Sequence, residues 1–352
     1  MRIVVAMSGG VDSSVAAALL AKEGFDVIGL SMQLYDQRGE QTFGSCCTLD
    51  DLRDAGRVAD AIGIPHYVLN LESQFQDTVV SNFVQEYTAG RTPLPCAHCN
   101  SDLKFTTLLD RARGLGAEQV ATGHYARVKR SADGHWLLKR SVDSAKDQSY
   151  FLFSLTQEQL SRAVFPVGEL NKVEVRDQAR RLGLDVANKP DSQEICFVTD
   201  GDYASFVANQ APAATRQGAI VDQLGNVIGS HDGVHRFTVG QRKGLGLSSP
   251  KPLYVLKIEA KSGNVTVGAR DALDKTTLTA SGVNWVSIDA PQAPLLVTAQ
   301  IRHGHRAAPA HVRALEAARA ECIFNEPQSA IAPGQAVVFY DGDTVIGGGW
   351  ID

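Results

Sequence analysis

No run of eighteen apolar residues occurs in the 352-residue sequence, so nothing in it reads as a membrane-spanning helix. The N-terminus also lacks a charged segment followed by an apolar stretch and a cleavage site. Together these absences point to a cytoplasmic protein with no membrane partner. Cysteine is scarce: six residues are too few for a disulfide scaffold in a chain this long, and their grouping directs attention to chemistry or metal binding. No internal repeat and no low-complexity tract is visible. Basic residues are outnumbered, 34 Lys and Arg against 39 Asp and Glu, for a net charge of −5. That balance does not suggest a polyanion partner, yet cations gathered on one face leave RNA binding open.

Hydrophobic residues at 44% and charged residues at 21% describe a globular chain, and its length calls for two or three cores. The stretch Arg2 to Val15 organises the rest. Ile3 to Ala6, with Arg2 before them, make a short buried strand; Ser8-Gly9-Gly10 breaks it, and Val11-Asp12-Ser13-Ser14 opens an alanine-rich helix to about Ala21. Glycines at such a turn admit a ligand close to the backbone, and the helix start offers free N–H groups and a positive dipole end, so the loop suits an anion. It is not the usual P-loop, lacking Lys-Ser or Lys-Thr after the glycines, nor the dinucleotide fingerprint, lacking the third glycine.

Downstream, Phe25 to Leu34 reads as a second strand, Leu49 to Ile62 as a helix and His66 to Leu69 as a third strand. Gln76 to Tyr87 and Leu103 to Ala112 read as helices, and Gln119 to Thr122 as a fourth strand ending in Gly123-His124-Tyr125. This alternation predicts a doubly wound parallel α/β sheet, with ligands beyond the carboxyl ends of its strands. Gln148 to Leu184 turns helical, Val173 to Leu182 most clearly, and 201 to 217 looks like a linker. Short β runs follow at Gly218 to Val221, Asn226 to Ile228, Tyr254 to Ile258 and Asn264 to Val267, and more from Thr279 onward predict a small β-barrel. The expected domains are 1–205, 206–272 and 273–352.

Gly90 to Phe105 is rich in proline and turn residues and sets Cys99 just ahead of a helix expected from near Ser101, where a helix N-terminus favours the reactive thiolate. Cys99 is thus a candidate nucleophile. Cys196 follows another turn-rich stretch, Cys322 sits inside an apolar strand and reads as core, and Cys46-Cys47 read as structural or incidental. Cys96-x-x-Cys99 also has metal-ligand spacing, and with Cys46, Cys47 or Cys196 it would complete a zinc or iron–sulfur site.

The order Ser8-Gly9-Gly10-x-Asp12-Ser13 resembles the pyrophosphate (PP) loop of ATP pyrophosphatases, in which the loop grips departing pyrophosphate while AMP passes to a carbonyl oxygen. Six segments in order then resemble the tRNA-specific 2-thiouridylase family: Met7 to Val15; Thr92-Pro93-x-Pro95-x-x-x-Cys99-Asn100; Thr122 to Ala126; Lys146-Asp147-Gln148-Ser149-Tyr150; Asp191 to Phe197; and Gly240-Gln241-Arg242-x-Gly244-Leu245-Gly246. The resemblance implies a PP-loop ATPase domain followed by two β-rich domains, the last a barrel. It implies adenylation by ATP of the C2 oxygen of the wobble uridine of tRNAs for Lys, Glu and Gln, then sulfur transfer from a persulfide on Cys196, with Cys99 as nucleophile and a disulfide between the two as one resting product. A sulfur-relay protein or cysteine desulfurase would supply the persulfide. A carbonyl oxygen leaves poorly until adenylated, and sulfur transfer needs one thiolate near another sulfur.

By the same resemblance, Ala6, Met7, Ser8, Gly9, Gly10, Val11, Asp12, Ser13, Met32 and Gly123 would meet ATP. Mg²⁺ would neutralise the pyrophosphate, with Asp12 as its ligand or as a helix cap. Leu94, Pro95 and Cys96 would border the flipped base, and His124, Lys146, Asp147, Gln148, Arg302, His303 and Gln335 would touch the tRNA. Basic clusters at Arg302 to Arg306, Arg236 and Arg242-Lys243 suit phosphates. Two positions depart from the family: Cys96 stands where some members carry Asp, a candidate general base, and Leu94 where Asn is common. An iron–sulfur or zinc-dependent thiolase, a PP-loop amidating synthetase and a non-catalytic RNA-binding module are the alternatives.

Overall fold

The computed structural model describes residues 1–35, 48–191, 195–198 and 201–352. The chain packs as two compact units: residues 1–79, 96–201 and 343–346 form the first, and 80–95, 202–342 and 347–352 the second.

The first unit is built on β1 (Arg2–Ala6), whose Ile3, Val4 and Val5 are wholly buried. It is followed by α1 (Val11–Lys22), β2 (Asp26–Gln33), α2 (Leu49–Ile62), β3 (His66–Asn70) and, later, β4 (Val120–Thr122). The five-stranded sheet has the order β3-β2-β1-β4 and then Ala163–Val164, with every pairing parallel. Apolar strands buried on both faces need cover on each side, and α1 and α2 pack together on the face that carries Ile3 and Val5. The core joins Ile3, Val5, Val15 and Leu20 to Val58, Val175 and Val186. Strand order reverses between β1 and β4, so the crevice of the sheet opens beyond their carboxyl ends. A capping box starts α2, Thr48 Oγ1 accepting from Asp51 N (3.1 Å) while Asp51 Oδ2 accepts from Thr48 N (2.8 Å), and Gly63 at φ +73° ends it.

Three local expectations change. Helical backbone begins at Glu72 rather than Gln76 and runs through a wide π turn at Gln76–Val80 into Ser81–Thr88. A helical turn at Pro95–His98 leads into a π-helical stretch, Cys99–Thr107, and then Leu108–Gly114. The part read as continuously helical from Gln148 divides into Ser149–Leu152, Gln157–Arg162, the edge strand Ala163–Val164 and Lys172–Arg181. An antiparallel hairpin, Ala126–Arg130 with Trp136–Arg140, went unread because its strands carry five Arg or Lys and weak alternation.

In the second unit, the supposed linker contains a helix, Tyr203–Gln210. Its Tyr203 ring stacks on Tyr87 at 4.6 Å, and its Phe206 ring meets Phe83 edge-on at 6.1 Å. A four-stranded sheet follows, ordered Tyr254–Glu259, Asn264–Gly268, Gly218–Val221, Val227–His231, with one parallel pair at its centre. Six antiparallel strands from Asp274–Trp285 to Thr344–Ile351 make the barrel, closed where Ala280 pairs with Ile351 and Trp285 with Gly347. Closure removes the exposed edges of the sheet. Cys322 is wholly buried in one of these strands, as expected of a core residue, and burial pushes its thiol up to about 12.

Candidate active site

Met7 to Gly10 link β1 to α1 at the crevice, and their shape is held by the loop's own serines. Ser8 N donates to Ser13 Oγ (3.2 Å), and the Ser13 and Ser14 hydroxyls both donate to Gly10 O (3.2 and 2.8 Å). Gly9 turns at φ +73°, and a Cβ there would fall 2.1 Å from Asp51 O, so only glycine lets the loop lie on the start of α2. A Cβ on Gly123 would come within 2.5 Å of Ser13 N; its absence brings the end of β4 against the start of α1. Ser8 is exposed, and Gly10, Asp12 and Gly123 are half-buried. Ala6, Met7, Gly9, Val11, Ser13 and Met32 are buried. Ser31, whose hydroxyl donates to Met7 O (2.7 Å) and lies 2.8 Å from His66 Nε2, braces the start of the loop from β2.

Asp12 does not cap α1, whose N-cap is Gly10 without a side-chain bond. Its carboxylate instead accepts from Tyr125 Oη (2.8 Å) and from Lys172 Nζ, which is 2.8 Å from each oxygen. Lys172 Nζ also lies 2.8 Å from Asp191 Oδ1, Lys146 Nζ is 2.7 Å from Asp191 Oδ2, and Arg176 reaches Asp191 at 3.1 Å. Burial alone would raise the Asp191 carboxyl; the hydrogen bonds and charges of Lys146 and Lys172 override it and lower it to about 2. Burial and then the Asp12 charge push the Tyr125 phenol upward, so it stays a donor. Lys189 performs a parallel task, donating to Gly9 O (3.1 Å) and pairing with Asp51 and Asp54. Burial opposes its charge, but the two carboxylates raise its pKa on balance. The loop is therefore ringed by ammonium groups on carboxylate supports, a field that suits a polyphosphate.

Cys99 is buried, Cys196 half-buried and Cys96 exposed. Helical backbone starts at Pro95, so Cys99 stands in the second turn rather than before a helix N-terminus, and the expected dipole effect on its thiol is weaker than the sequence implied. Beside it, Asn100 Nδ2 donates to Phe151 O (3.1 Å) and Lys104 Nζ to Asn100 Oδ1 (3.0 Å), tying the cysteine segment to the stretch after Gln148. Cys196 comes five residues after Asp191. Asp147 is half-buried, with its carboxylate turned inward, and serves structure, accepting from Arg140, Ser141 N and Ser149. Gln148 Oε1 accepts from Tyr125 N (2.9 Å), and His124 Nδ1 lies 2.7 Å from Thr122 Oγ1. Burial, with Lys104 adding to it, drives the His124 pKa well down, so its ring is neutral at physiological pH.

The remaining predicted residues lie in the second unit. Leu94 and Pro95 are buried. Arg302 and His303 are exposed on a turn after Leu295–Gln300, with Arg302 donating to Ser329 O (3.2 Å). Gln335 Nε2 donates to Thr92 O and Pro93 O, each at 3.1 Å, so its amide holds the segment that leads to the cysteines. Among the described residues no three His, Cys, Asp or Glu side chains group as metal ligands; Cys46, Cys47, Ser192, Gln193 and Glu194 lie outside those residues. No helix among the described residues is long and apolar enough to cross a membrane.

Lys172, Lys189, Asp51, Asp54 and Arg176 were missed from sequence. A lysine before Pro190-Asp191 and another opening a helix were the available signals.

Family models match three stretches of the chain. Residues 1–200 match a tRNA methyl transferase HUP domain, 204–269 a tRNA methyl transferase PRC-barrel domain and 275–351 an aminomethyltransferase β-barrel domain. Proteins named tRNA-specific 2-thiouridylase MnmA are similar over full length. Those of Geotalea uraniireducens (strain Rf4) and Geobacter metallireducens are each 53% identical, covering 100% of this chain and 95% and 96% of their own. That of Solibacter usitatus is 52% identical over 99% of both chains.

Proposed function

The chain belongs to the tRNA-specific 2-thiouridylase family, and on that footing we propose that it replaces the C2 oxygen of the wobble uridine of tRNAs for Lys, Glu and Gln with sulfur. It is an ATP-using tRNA sulfurtransferase. The observation that carries the site assignment is Lys172, which joins Asp12 of the loop to Asp191, five residues before Cys196.

In this reading the loop from Ala6 to Ser13, with Met32 and Gly123, receives ATP. The uridine C2 oxygen bonds to the α-phosphorus and the α–β bond breaks, so pyrophosphate leaves beside Lys172 and Lys189. The terminal sulfur of a Cys196 persulfide then attacks C2, and AMP departs with the former oxygen. Attack of the Cys99 thiolate on Cys196 Sγ frees the thiocarbonyl and leaves a Cys99–Cys196 disulfide, which an external thiol reductant reopens. A sulfur-relay protein or cysteine desulfurase restores the persulfide. Leu94, Pro95 and Cys96 border the base, while His124, Lys146, Asp147, Gln148, Arg302, His303 and Gln335 face or support the bound tRNA. Asp12, with both oxygens on Lys172, does not fit as a Mg²⁺ ligand in this arrangement; Mg²⁺ would instead come on the nucleotide phosphates. Domains at 1–205, 206–272 and 273–352 follow the three matched stretches, and the reaction belongs in the cytoplasm.

The matched models are named for methyl transfer. The pyrophosphate loop and two cysteines favour sulfur transfer, for which ATP has a role that methyl transfer does not require. The test is the mass of tRNA after incubation with ATP and a persulfide donor. A gain matching oxygen-to-sulfur exchange is expected with the native protein and none with Cys99→Ser or Cys196→Ser, both of which keep ATP binding. No gain with native protein overturns the reading.

A further inference from the structure

The loop from Gly240 to Leu253, in the second unit, encloses an open cleft of about 460 Å³ lined by Arg242, Gly244, Gly246, Ser249 and Lys251 among others. No helix or strand lies in this loop, yet it is fixed. Leu245 is buried among Ile220, Phe237, Val255 and Val265, with Leu247 and Leu253 packed on the same cluster. Gln241 clamps the loop from within, its Oε1 accepting from Thr238 N and its Nε2 donating to Lys243 O, each at 3.0 Å. Gly240, Gly244 and Gly246 take φ of +90°, +75° and +68°, conformations that lift the backbone without a Cβ in the way. Apolar anchors on one side leave Arg242, Lys243 and Lys251 exposed on the other.

Charge separates this loop from the rest of the molecule. The chain carries −5 overall, but residues 233 to 258 contain no Asp or Glu and five Lys or Arg. Of these, Lys257 pairs with Glu259, whereas Arg242, Lys243 and Lys251 form no ion pair among the described residues. Three unneutralised cations, a hydroxyl and glycine backbone on a rigid loop form a receptor for an anion that brings its own charge.

We propose that this cleft binds the sugar–phosphate backbone of the tRNA substrate, Arg242 and Lys251 each taking a phosphodiester. The inference rests on the proposed tRNA activity and adds a further place at which the RNA is gripped. A fixed cationic cleft would read backbone rather than base, so it contributes affinity that depends on salt and not on the anticodon.

The test is Arg242→Ala/Lys251→Ala in the full-length protein, with Lys257→Ala, which removes an already paired cation, as the control. At about 100 mM salt the double variant should bind tRNA at least about 10-fold more weakly, and its slope of log Kd against log salt should fall by about 1.5, for two phosphates lost. Melting temperature should match native, and ATP affinity and thiolation at saturating tRNA should stay within about twofold of it, as for a site that binds without taking part in the chemistry. A folded double variant with native tRNA affinity and salt slope overturns the inference, as does one that loses only affinity for inorganic pyrophosphate, which would make the cleft a small-anion site. Slowed sulfur delivery from a protein donor with tRNA binding intact also overturns it. Native protein that neither binds nor thiolates tRNA would instead overturn the activity on which the inference rests.

Discussion

Lys172 Nζ stands 2.8 Å from both carboxylate oxygens of Asp12, a residue 160 positions earlier. The bond joins the helix Lys172–Arg181 to the turn after β1, and because the same ammonium holds Asp191, one cation fixes two loops. Anything that draws Lys172 toward a phosphate must loosen Asp12, Asp191 or both. Occupancy of the loop is therefore expected to be felt at Asp191.

Replacing Lys172 with Met keeps the aliphatic stem and leaves two carboxylates without their shared partner. The groups are only partly buried, so the loss of stability should be about 1–3 kcal/mol rather than that of a fully buried pair. Pyrophosphate release should slow by at least about 10-fold in kcat/KM for ATP, with partial recovery in Lys172→Arg. The Asp191 carboxyl, now near 2, should rise, moving its acid transition upward. Native pyrophosphate release by Lys172→Met would remove Lys172 from the site.

Gly123→Ala tests the approach of β4 to α1. Its Cβ would meet backbone atoms, Ser13 N at 2.5 Å and the Asp12 carbonyl carbon at 2.7 Å, which cannot move aside as a flexible side chain would. A cost of about 1–3 kcal/mol is expected, with KM for ATP rising more than kcat falls. Gly114→Ala, at the end of a helix with nothing within 4 Å, should be neutral or slightly stabilising. Chemical denaturation of the two variants side by side decides it; equal stabilities would mean the close approach is not rigid.

Much of this arrangement was legible in the sequence because it is local. A five-residue apolar strand, a glycine turn and a helix start occupy adjacent positions, and short runs of alternating residues announce a barrel whatever their order of pairing. The ion network was not legible, since Lys172 and Lys189 meet partners 160 and 135 or more positions away and nothing local marks them. The helix Tyr203–Gln210 was hidden for the same reason: it is only eight residues long, and the partners of its Tyr203 and Phe206, Tyr87 and Phe83, lie far back in the chain. The proline and turn residues of Gly90 to Phe105 place Cys99 ahead of a helix when read as sequence, whereas the backbone is already helical from Pro95.

Alkylation should rank the cysteines. Cys96 is exposed, Cys196 half-buried, Cys99 buried, and Cys322 buried with its thiol pushed up to about 12. Iodoacetamide at mildly alkaline pH should therefore modify Cys96 first and Cys196 next, and should reach Cys322 only after unfolding, since the thiolate is the reactive form. Peptide mass spectrometry at timed intervals gives the order. Protection of Cys96 in the native protein, relieved by a chelator, would revive the metal site that its spacing to Cys99 first suggested.

Acid should destabilise the protein well before its carboxylates titrate. Burial lowers the pKa of His66, His124, His235 and His305 below the ordinary 6.5. A lowered histidine binds fewer protons folded than unfolded, so its contribution is complete above the unfolded pKa and is lost as pH falls below about 6.5. Asp191 works in a separate window: its lowered carboxyl stabilises the fold above the unfolded value near 3.8 and ceases to do so as pH falls through about 2. Unfolding free energies from urea titrations at pH 7.5, 6.0 and 5.0 should decline as the pH falls, with a slope to which His124, whose pKa lies well below the ordinary value, contributes most. His124→Asn should remove one proton from that slope while leaving the Asp191 window unchanged. A flat profile between pH 7.5 and 5.0 would mean that these rings accept protons without opening the fold, and His124 would then be free to act as a cation toward RNA.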